Sequence, residues 1–236
     1  MFNDVDSSGM EEQKDSLGGY LVDSALYTGK ITMAYAGSSD SGSKSITIHV
    51  DLNGTDFRET FWVVSGKTKG FHYMGGKDGK SKIPLPSFTH VNNICLVTTG
   101  TELKSQKTEE KMVSIYNSEA KKAIPTSADV LVGLIGKEIQ LGILRQIVDK
   151  QIKGDGGYIN SGETREENAV NGVFHPVNHM TVSEAKAGDI TEGEFIVKWD
   201  KKHTGNTLNK AKGAEGKSGK PGGASAGTPK KSLFDK

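Results

Sequence analysis

Several features are scarce or missing in this chain, and each absence excludes a class of protein. The 236 residues include one cysteine, Cys95, which excludes an internal disulfide and fits a reducing compartment. No run reaches the roughly 18 apolar residues that a membrane-spanning helix needs. The opening MFNDVDSSGMEEQKD lacks the basic start and apolar stretch of a signal peptide. These absences predict a soluble, intracellular protein with no membrane partner.

Sequence signatures of catalysis and metal binding are also missing. There is no GxSxG motif, and Cys95 lies in the apolar stretch NNICLV, which is typical of an inert buried thiol. A single cysteine cannot build a structural zinc site, and Pro176 makes a helix that carries both His175 and His179 improbable. We therefore expect a protein that is not an enzyme, holds no metal and needs no cofactor.

The charge balance excludes a protein that is basic overall. Lysine and arginine total 30 against 29 acidic residues, so the formal net charge is +1. Any role in binding nucleic acid must therefore come from a local concentration of positive charge. The chain contains 30 glycines and is 34% hydrophobic, which fits one ordinary domain with substantial loops or tails.

Three segments between residues 25 and 65 alternate between apolar and polar side chains, the period of a half-buried strand. In LYTGKITMAYA, one face is predicted to hold Tyr27, Ile31, Met33 and Tyr35. In SITIHVDL, the apolar face holds Ile46, Ile48, Val50 and Leu52. Asn53-Gly54 predicts a tight turn into FRETFWVV. The three segments predict an antiparallel meander.

The third strand has two unlike faces. One face is apolar, with Phe57, Phe61 and Val63, and the other includes Arg58 and Trp62. An aromatic ring beside a cation suits a surface on which bases stack. The alternative is that Trp62 packs beneath a loop or a tail.

The stretch SGKTKGFHYMGGKDGKSKI after this strand begins like a phosphate-binding loop, but it does not fit a nucleotide hydrolase. The Walker pattern requires a glycine five residues before the GK pair, and these positions hold Phe61 and Met74. Glycines and Pro84 also prevent the long helix that should follow the lysine.

Residues 65–83 instead suit a single-stranded polymer. Lysines can follow a phosphate backbone while Phe71 and Tyr73 stack on bases, and the glycines are expected to keep the loop flexible. The alternative is a solvated loop that is lysine-rich only for solubility. The lysines are Lys67, Lys69, Lys77, Lys80 and Lys82.

Downstream, the patterns predict a mixture of short helices and strands. We expect a helix after Pro86 and another in PTSADVLVGLIG, followed by a long strand in KEIQLGILRQIVDKQ. A turn-rich excursion over 154–167 and a fifth strand in NAVNGVFHP come next. The last expected elements are a small helix in MTVSEAKAGD and a last strand or docking segment in EGEFIVKWD.

Three stretches carry a resemblance to a known family. They are YTGKITMAYAGSSDSGSKSITIHV after an MFN opening, FRETFWVV with its long loop, and LVGLIGKEIQLGILRQ followed by NGVFHP. Over residues 20–200 the chain resembles the single-stranded DNA-binding proteins of lytic bacteriophages. The resemblance implies an OB-fold, the five-stranded Greek-key barrel that binds oligonucleotides, within a mainly β chain.

Composition predicts a flexible acidic arm (1–18) and a disordered tail rich in glycine and lysine (205–236). By the resemblance, residues 19–204 between them would be an OB-fold-like single-stranded DNA-binding domain. It would coat DNA with little sequence preference during phage replication, recombination and transcription, in the cytoplasm of an infected bacterium. The candidate DNA-binding residues are His49, Arg58, Trp62, Lys67, Lys69, Phe71, Tyr73, Lys77, Lys80 and Lys82.

The tail departs from the family pattern, because it is basic where many such proteins are acidic. Only Leu233, Phe234 and Asp235 remain as a short peptide for docking a protein partner, such as a phage replication or transcription protein. Other readings stay open: a module that recruits a phage polymerase or another replication or transcription partner, a virion structural protein, or RNA rather than DNA as the bound polymer.

Overall fold

The structure, a computed structural model, describes residues 21–75, 77–117, 120–154 and 157–212. These residues form ten β-strands, three α-helices and two 3₁₀ helices. The strands are β1 (Ala25–Ser38), β2 (Lys44–Leu52), β3 (Thr55–Val64), β4 (His72–Gly75), β5 (Ser81–Pro84), β6 (Thr108–Asn117), β7 (Lys122–Leu131), β8 (Glu138–Gly154), β9 (Gly157–Phe174) and β10 (Thr207–Asn209). The helices are α1 (Pro86–Thr99), α2 (Val182–Ala187) and α3 (Phe195–His203), and the 3₁₀ helices are Leu103–Ser105 and Val132–Leu134.

The chain is mainly β, as the sequence predicts, and most strands belong to one large sheet. The order β10-β8-β1-β2-β3 runs through this sheet, while β9 pairs with β8, β7 with β1, and β6 with β7. The predicted antiparallel meander β1-β2-β3 is confirmed. Among the described residues, β3 and β9 are not paired, so these strands form no closed barrel.

The chain divides into two compact units. The described part of the first comprises residues 21–146 and 167–208, and that of the second comprises 147–166 and 209–212. In the second unit, an ion pair of 2.6 Å joins Lys150 to Glu163, and the Lys210 N–H donates to the Ile147 carbonyl. All the candidate DNA-binding residues lie in the first unit.

The main core fills the inner face of the meander, and the predicted faces of β2 and β3 are confirmed. Ile48, Phe57 and Phe61 are buried there, while Arg58 and Trp62 are exposed on the opposite face. Other core residues are Ile31, Ala34, Ile46, Val50, Leu52, Val63, Val91, Ile94, Cys95, Leu134, Ile139, Leu141 and Ile143.

The predicted face of β1 is wrong beyond Ile31. The register with β2 shifts between Ile31 and Met33, which marks a β-bulge. Because a bulge inserts one extra residue, the alternation changes phase. Ile31 therefore packs in the main core, whereas Tyr35 joins Val113 and Val130 in a separate cluster.

The helix predicted in PTSADVLVGLIG is wrong, because this stretch forms β7 and the 3₁₀ helix Val132–Leu134. Pro125 disfavours a helix interior, and side chains from Ile124 to Val130 alternate in exposure at every second residue. All ten residues of β7 pair with β6. Tertiary pairing therefore decides the structure of this stretch.

Two further expectations downstream are wrong. The predicted excursion over 154–167 lies largely within the long strands β8 and β9. EGEFIVKWD, expected to be a last strand or a docking segment, is not a strand, because its residues 195–200 lie in α3. Ile196 and Trp199 are buried three residues apart on one face of α3, the spacing of a helix. The predicted long strand β8 and the return strand at NAVNGVFHP are confirmed.

The predicted helices α1 and α2 are confirmed, and both have clear end signals. Pro86 opens α1, and Gly100 ends it at a φ of 72°, in the left-handed region that favours glycine. Thr181 and Glu184 form a capping box at the start of α2. No helix in the described ranges is long and apolar enough to cross a membrane.

The predicted acidic arm and most of the predicted tail lie outside the described residues, as do Leu233, Phe234 and Asp235. The described start of the predicted tail, residues 205–212, contains strand β10.

Candidate nucleic-acid interface

An open groove of about 450 Å³ lies where the ends of β1, β2 and β3 meet the 3₁₀ helix Leu103–Ser105 and residues 65–83, here called the lysine-rich segment. Its lining combines apolar side chains, among them the buried Ile46 and Val63, with exposed lysines. The lining includes no carboxylate. The lysines are Lys44, Lys69 and Lys104, and Phe71 lies among them.

Lys44 is positioned by the serine-rich turn before β2. The Ser43 N–H donates to the Ser39 hydroxyl, and the Ser43 hydroxyl accepts from the Gly66 N–H at 3.0 Å. A Cβ at Gly66 would lie 2.5 Å from the Ser41 carbonyl oxygen, so only glycine allows this close approach. The turn therefore fixes Lys44 beside the start of the lysine-rich segment.

Lys69 lies in a tight turn. The Ser65 N–H donates to the Gly70 carbonyl at 2.9 Å, and the Thr68 hydroxyl donates to the His72 carbonyl at 2.6 Å. Lys69 has a φ of 51° in this turn. This part of the segment expected to be a flexible loop is thus a hydrogen-bonded turn.

Lys104 reaches the groove from a segment that sequence analysis did not connect with it. The Leu103 N–H donates to the Asn92 side chain of α1 at 2.9 Å, which anchors the 3₁₀ helix. The Lys104 ammonium contacts the Glu102 carboxylate at 2.8 Å, and this hydrogen bond and charge raise the pKa of Lys104 above its ordinary value. Lys104 is therefore a cation that a phosphate group could contact in exchange for Glu102.

The rest of the lysine-rich segment forms the β4–β5 hairpin, a further departure from the predicted loop. Its turn is closed by Asp78, whose carboxylate accepts from the N–H groups of Lys80 and Ser81 at 3.1 Å each. These hydrogen bonds lower the pKa of Asp78. The four other predicted lysines are exposed outside the groove lining: Lys67, Lys77, Lys80 and Lys82.

The predicted aromatic residues occupy different places. Phe71 lines the groove, is 45% exposed, and packs at 4.8 Å between ring centroids on Phe88 of α1. Tyr73 is exposed on β4, outside the groove lining. Phe71 is thus held at its base while part of its ring remains available to a ligand.

Trp62 and Arg58 share the outer face of β3. Trp62 is 49% exposed and pairs across the strands with Ser45, a residue that lines the groove. Arg58 pairs with His49, whose ring lies 3.2 Å from the Asp56 carboxylate. The half-buried His49 ring thus already has Asp56 as a partner. Trp62, in contrast, has an exposed ring next to the groove.

Glu59, on the inner face of β3, forms a hydrogen bond to β9. These two strands are the ends of a path of paired strands, β9-β8-β1-β2-β3. The Val170 N–H of β9 donates to the Glu59 carboxylate at 2.6 Å. Burial raises the pKa of Glu59 from 4.5 to about 7, and the nearby Glu167 charge adds to the shift, although the Val170 hydrogen bond opposes it. Apolar neighbours explain the burial: Ile48, Phe57, Phe61, Ile94 and Val170.

We expect Glu59 to make the stability of the chain depend on pH. Because its pKa is higher in the folded state, the folded chain binds more protons between pH 4.5 and about 7, so the free energy of unfolding falls as pH rises through this window. This decrease in the free energy of unfolding amounts to as much as about 3 kcal/mol between about pH 5 and about pH 8. It should disappear in Glu59→Gln, because the amide does not titrate. Urea unfolding of both proteins at these two pH values measures the decrease. An equal decrease in the parent and in Glu59→Gln would contradict the prediction.

The cysteine and the two histidines that the sequence offered for covalent catalysis or metal binding have ordinary structural environments. Burial raises the pKa of the Cys95 thiol to about 12. The His179 ring contacts the Gln140 side chain, and the His175 ring accepts from the backbone of Val177 and Asn178. Within the described ranges, no three side chains of His, Cys, Asp and Glu form a metal-binding group.

Comparison with known proteins leaves the site to be interpreted on its own chemistry. No protein-family model matches the chain, and no curated protein is significantly similar to it.

Proposed function

We propose that this protein binds single-stranded DNA with little sequence preference and performs no catalysis. The observation that carries the proposal is the groove at the ends of β1–β3, where apolar side chains and Phe71 share one lining with Lys44, Lys69 and Lys104. An unstacked base presents an apolar face and is flanked by phosphates, so it matches both parts of this lining.

The arrangement favours a single strand over a duplex. Stacking of one base on an aromatic side chain contributes roughly 1–3 kcal/mol, and it requires a base face that a duplex keeps covered. Phe71 and Trp62 are both about half exposed, and Trp62 lies opposite a residue that lines the groove. A strand crossing from the outer face of β3 into the groove would contact Arg58, both rings and the groove lysines.

The finer fold belongs to the same proposal. The five strands β9-β8-β1-β2-β3 form a continuous path whose ends are linked by the Val170–Glu59 hydrogen bond, and α1 follows the meander. We assign this path to an OB-fold-like barrel, an architecture that binds oligonucleotides. Together with the resemblance to phage single-stranded DNA-binding proteins, it supports a role in phage replication, recombination and transcription, in the cytoplasm of an infected bacterium.

Fluorescence titration with oligo-dT tests the proposal. We expect saturable quenching of Trp62, because it is exposed, while Trp199 is 2% exposed and should remain unquenched. Binding should weaken with salt at a log–log slope of about −0.7 per neutralised phosphate. An absence of binding at roughly 50 mM salt would contradict the proposal, since the attraction between lysines and phosphates is strong at low salt. Competition with duplex DNA and with RNA measures the preference among polymers.

Trp62→Ala separates the role of the β3 face from the function itself. We expect affinity for oligo-dT to fall by about 1–3 kcal/mol, the contribution of one stacked base. Trp62→Phe, which keeps a ring, is the matched control and should retain most of the affinity. If Trp62→Ala bound DNA as well as the parent, the β3 face would be outside the interface, although the groove could still bind DNA.

A second candidate function is that of a protein-interaction module, for example one that recruits a phage polymerase. The β6–β7 hairpin favours it, because Met112 and Tyr116 are 66% and 58% exposed on β6. A pull-down with and without nuclease distinguishes the two functions, because a contact bridged by DNA is lost on digestion.

A further inference from the structure

A second groove, of about 630 Å³, lies along the start of α3 and the loop before it. Ile190 and Val197 give it apolar surface, and Val197 is 68% exposed. Asp189, Glu192 and Glu194 give it negative charge, against a single cation, Lys198, which lies 4.0 Å from Glu194. The lining therefore has a net negative charge beside an exposed apolar surface.

The loop that carries these acids is fixed in place. The Glu184 carboxylate accepts from the N–H groups of Glu194 and Phe195 at 3.0 and 2.7 Å, and the Gly193 N–H donates to the Asn178 carbonyl at 2.8 Å. A Cβ at Gly193 would lie 2.0 Å from the His179 carbonyl oxygen, so the loop backbone packs directly on its neighbour. The acidic side chains thus project from a preorganised loop, which lowers the entropic cost of binding.

A segment of the same chain, outside the described residues, has the complementary chemistry. Residues 229–236 read PKKSLFDK, in which two adjacent lysines precede Leu233 and Phe234. Residues 205–236 contain seven lysines against Glu215 and Asp235. Leu233 and Phe234 match Ile190 and Val197, and Lys230 and Lys231 match the carboxylates around them.

Chain length allows the contact. Sixteen residues separate Lys212, the last described residue, from 229, and an extended chain advances about 3.3 Å per residue, so this linker spans roughly 50 Å. The radius of gyration of a domain of this size is about 16 Å. We infer that the acidic groove at the start of α3 binds residues 229–236 of this chain. The contact needs no DNA and so goes beyond the proposed function.

Disulfide trapping in the full chain tests the inference. Cys95 is buried, so added cysteines react without interference from it. We expect Val197→Cys combined with Leu233→Cys to form a disulfide with oxidised glutathione about tenfold faster than Val177→Cys with Leu233→Cys, because docking raises the effective concentration of the two thiols. Val177 is 76% exposed and lies outside the groove, which makes it the matched control.

Neutralising the groove tests the charge complementarity. Asp189→Asn with Glu192→Gln should reduce the trapping rate several-fold, whereas Asp129→Asn, an exposed acid of β7, should leave it unchanged. Equal trapping rates at positions 197 and 177 would overturn the inference. Faster trapping of Val197→Cys by Phe2→Cys than by Leu233→Cys would also overturn it, because the acidic arm would then be the occupant. Oligo-dT is absent throughout, so the outcome is independent of DNA binding.

Discussion

Replacing Lys44, Lys69 and Lys104 together by alanine is expected to weaken oligo-dT binding about 100-fold. A hydrogen bond from a charged group to a phosphate strengthens binding, although less at an open rim than in a protected site, so we take a roughly fivefold loss of affinity for each lysine. Three such losses multiply to roughly two orders of magnitude in the dissociation constant. All three lysines line one groove, so the substitutions remove its cationic lining completely.

The salt dependence shows whether these lysines contact phosphates. Loss of three phosphate contacts should reduce the log–log slope by about 2, at about 0.7 per phosphate. A second triple variant, Lys137→Ala, Lys201→Ala and Lys202→Ala, removes the same charge from exposed positions outside the groove and is the matched control. If both variants lost affinity equally, binding would depend on net charge and the groove would not be the site.

Trp199→Ala is expected to lower the free energy of unfolding by about 3–5 kcal/mol, the range for removing a large aromatic side chain from a core. Trp199 is 2% exposed and packs with Leu144, Phe174 and Ile196. A Cβ at Gly142 of β8 would lie 2.7 Å from the indole ring, so the ring rests directly on the strand backbone. Alanine would leave a large cavity between α3 and the sheet.

The substitution also breaks a hydrogen bond, since the indole N–H donates to the Asn171 side chain at 2.8 Å. Urea unfolding followed by circular dichroism measures the change, because Trp199 itself would no longer report by fluorescence. Trp62→Ala is the control within the same chain: its ring is about half exposed, so the cost should remain near 0.5 kcal/mol. A similar small cost for Trp199→Ala would show that α3 is not needed for stability.

Local pattern was sufficient for the meander, because apolar and polar residues alternate along β2 and β3 and the apolar residues of both strands are buried. It failed for β7 and for the first half of β9, for physical reasons that differ. In β7, the apolar run VLVGLIG resembles a helix, and only pairing with β6 decides otherwise. In β9, the polar run SGETREEN has no apolar face from which a strand could be recognised, and it pairs with β8.

The candidate site was predictable only where its residues are close in sequence. Lys69 and Phe71 were found because they share one lysine-rich segment. Lys44 reaches the groove because it pairs across the strands with Val64, and Lys104 because Asn92 of α1 holds its 3₁₀ helix. Neither contact leaves a signal in the local sequence, since both depend on register and packing.

The bulge in β1 lies just beyond the residues that pair with β8. Residues 25–30 pair with β8, residues on both sides of the bulge pair with β2, and Tyr35 also pairs with β7. A chain without Thr32 would keep Ile31, Ala34 and Tyr35 on their present faces, because the remaining residues would simply alternate. It would, however, lose the local bend and added twist that a bulge gives a strand. At this point of β1, the bend therefore depends on one extra residue between Ile31 and Met33 and not on the identity of its side chain.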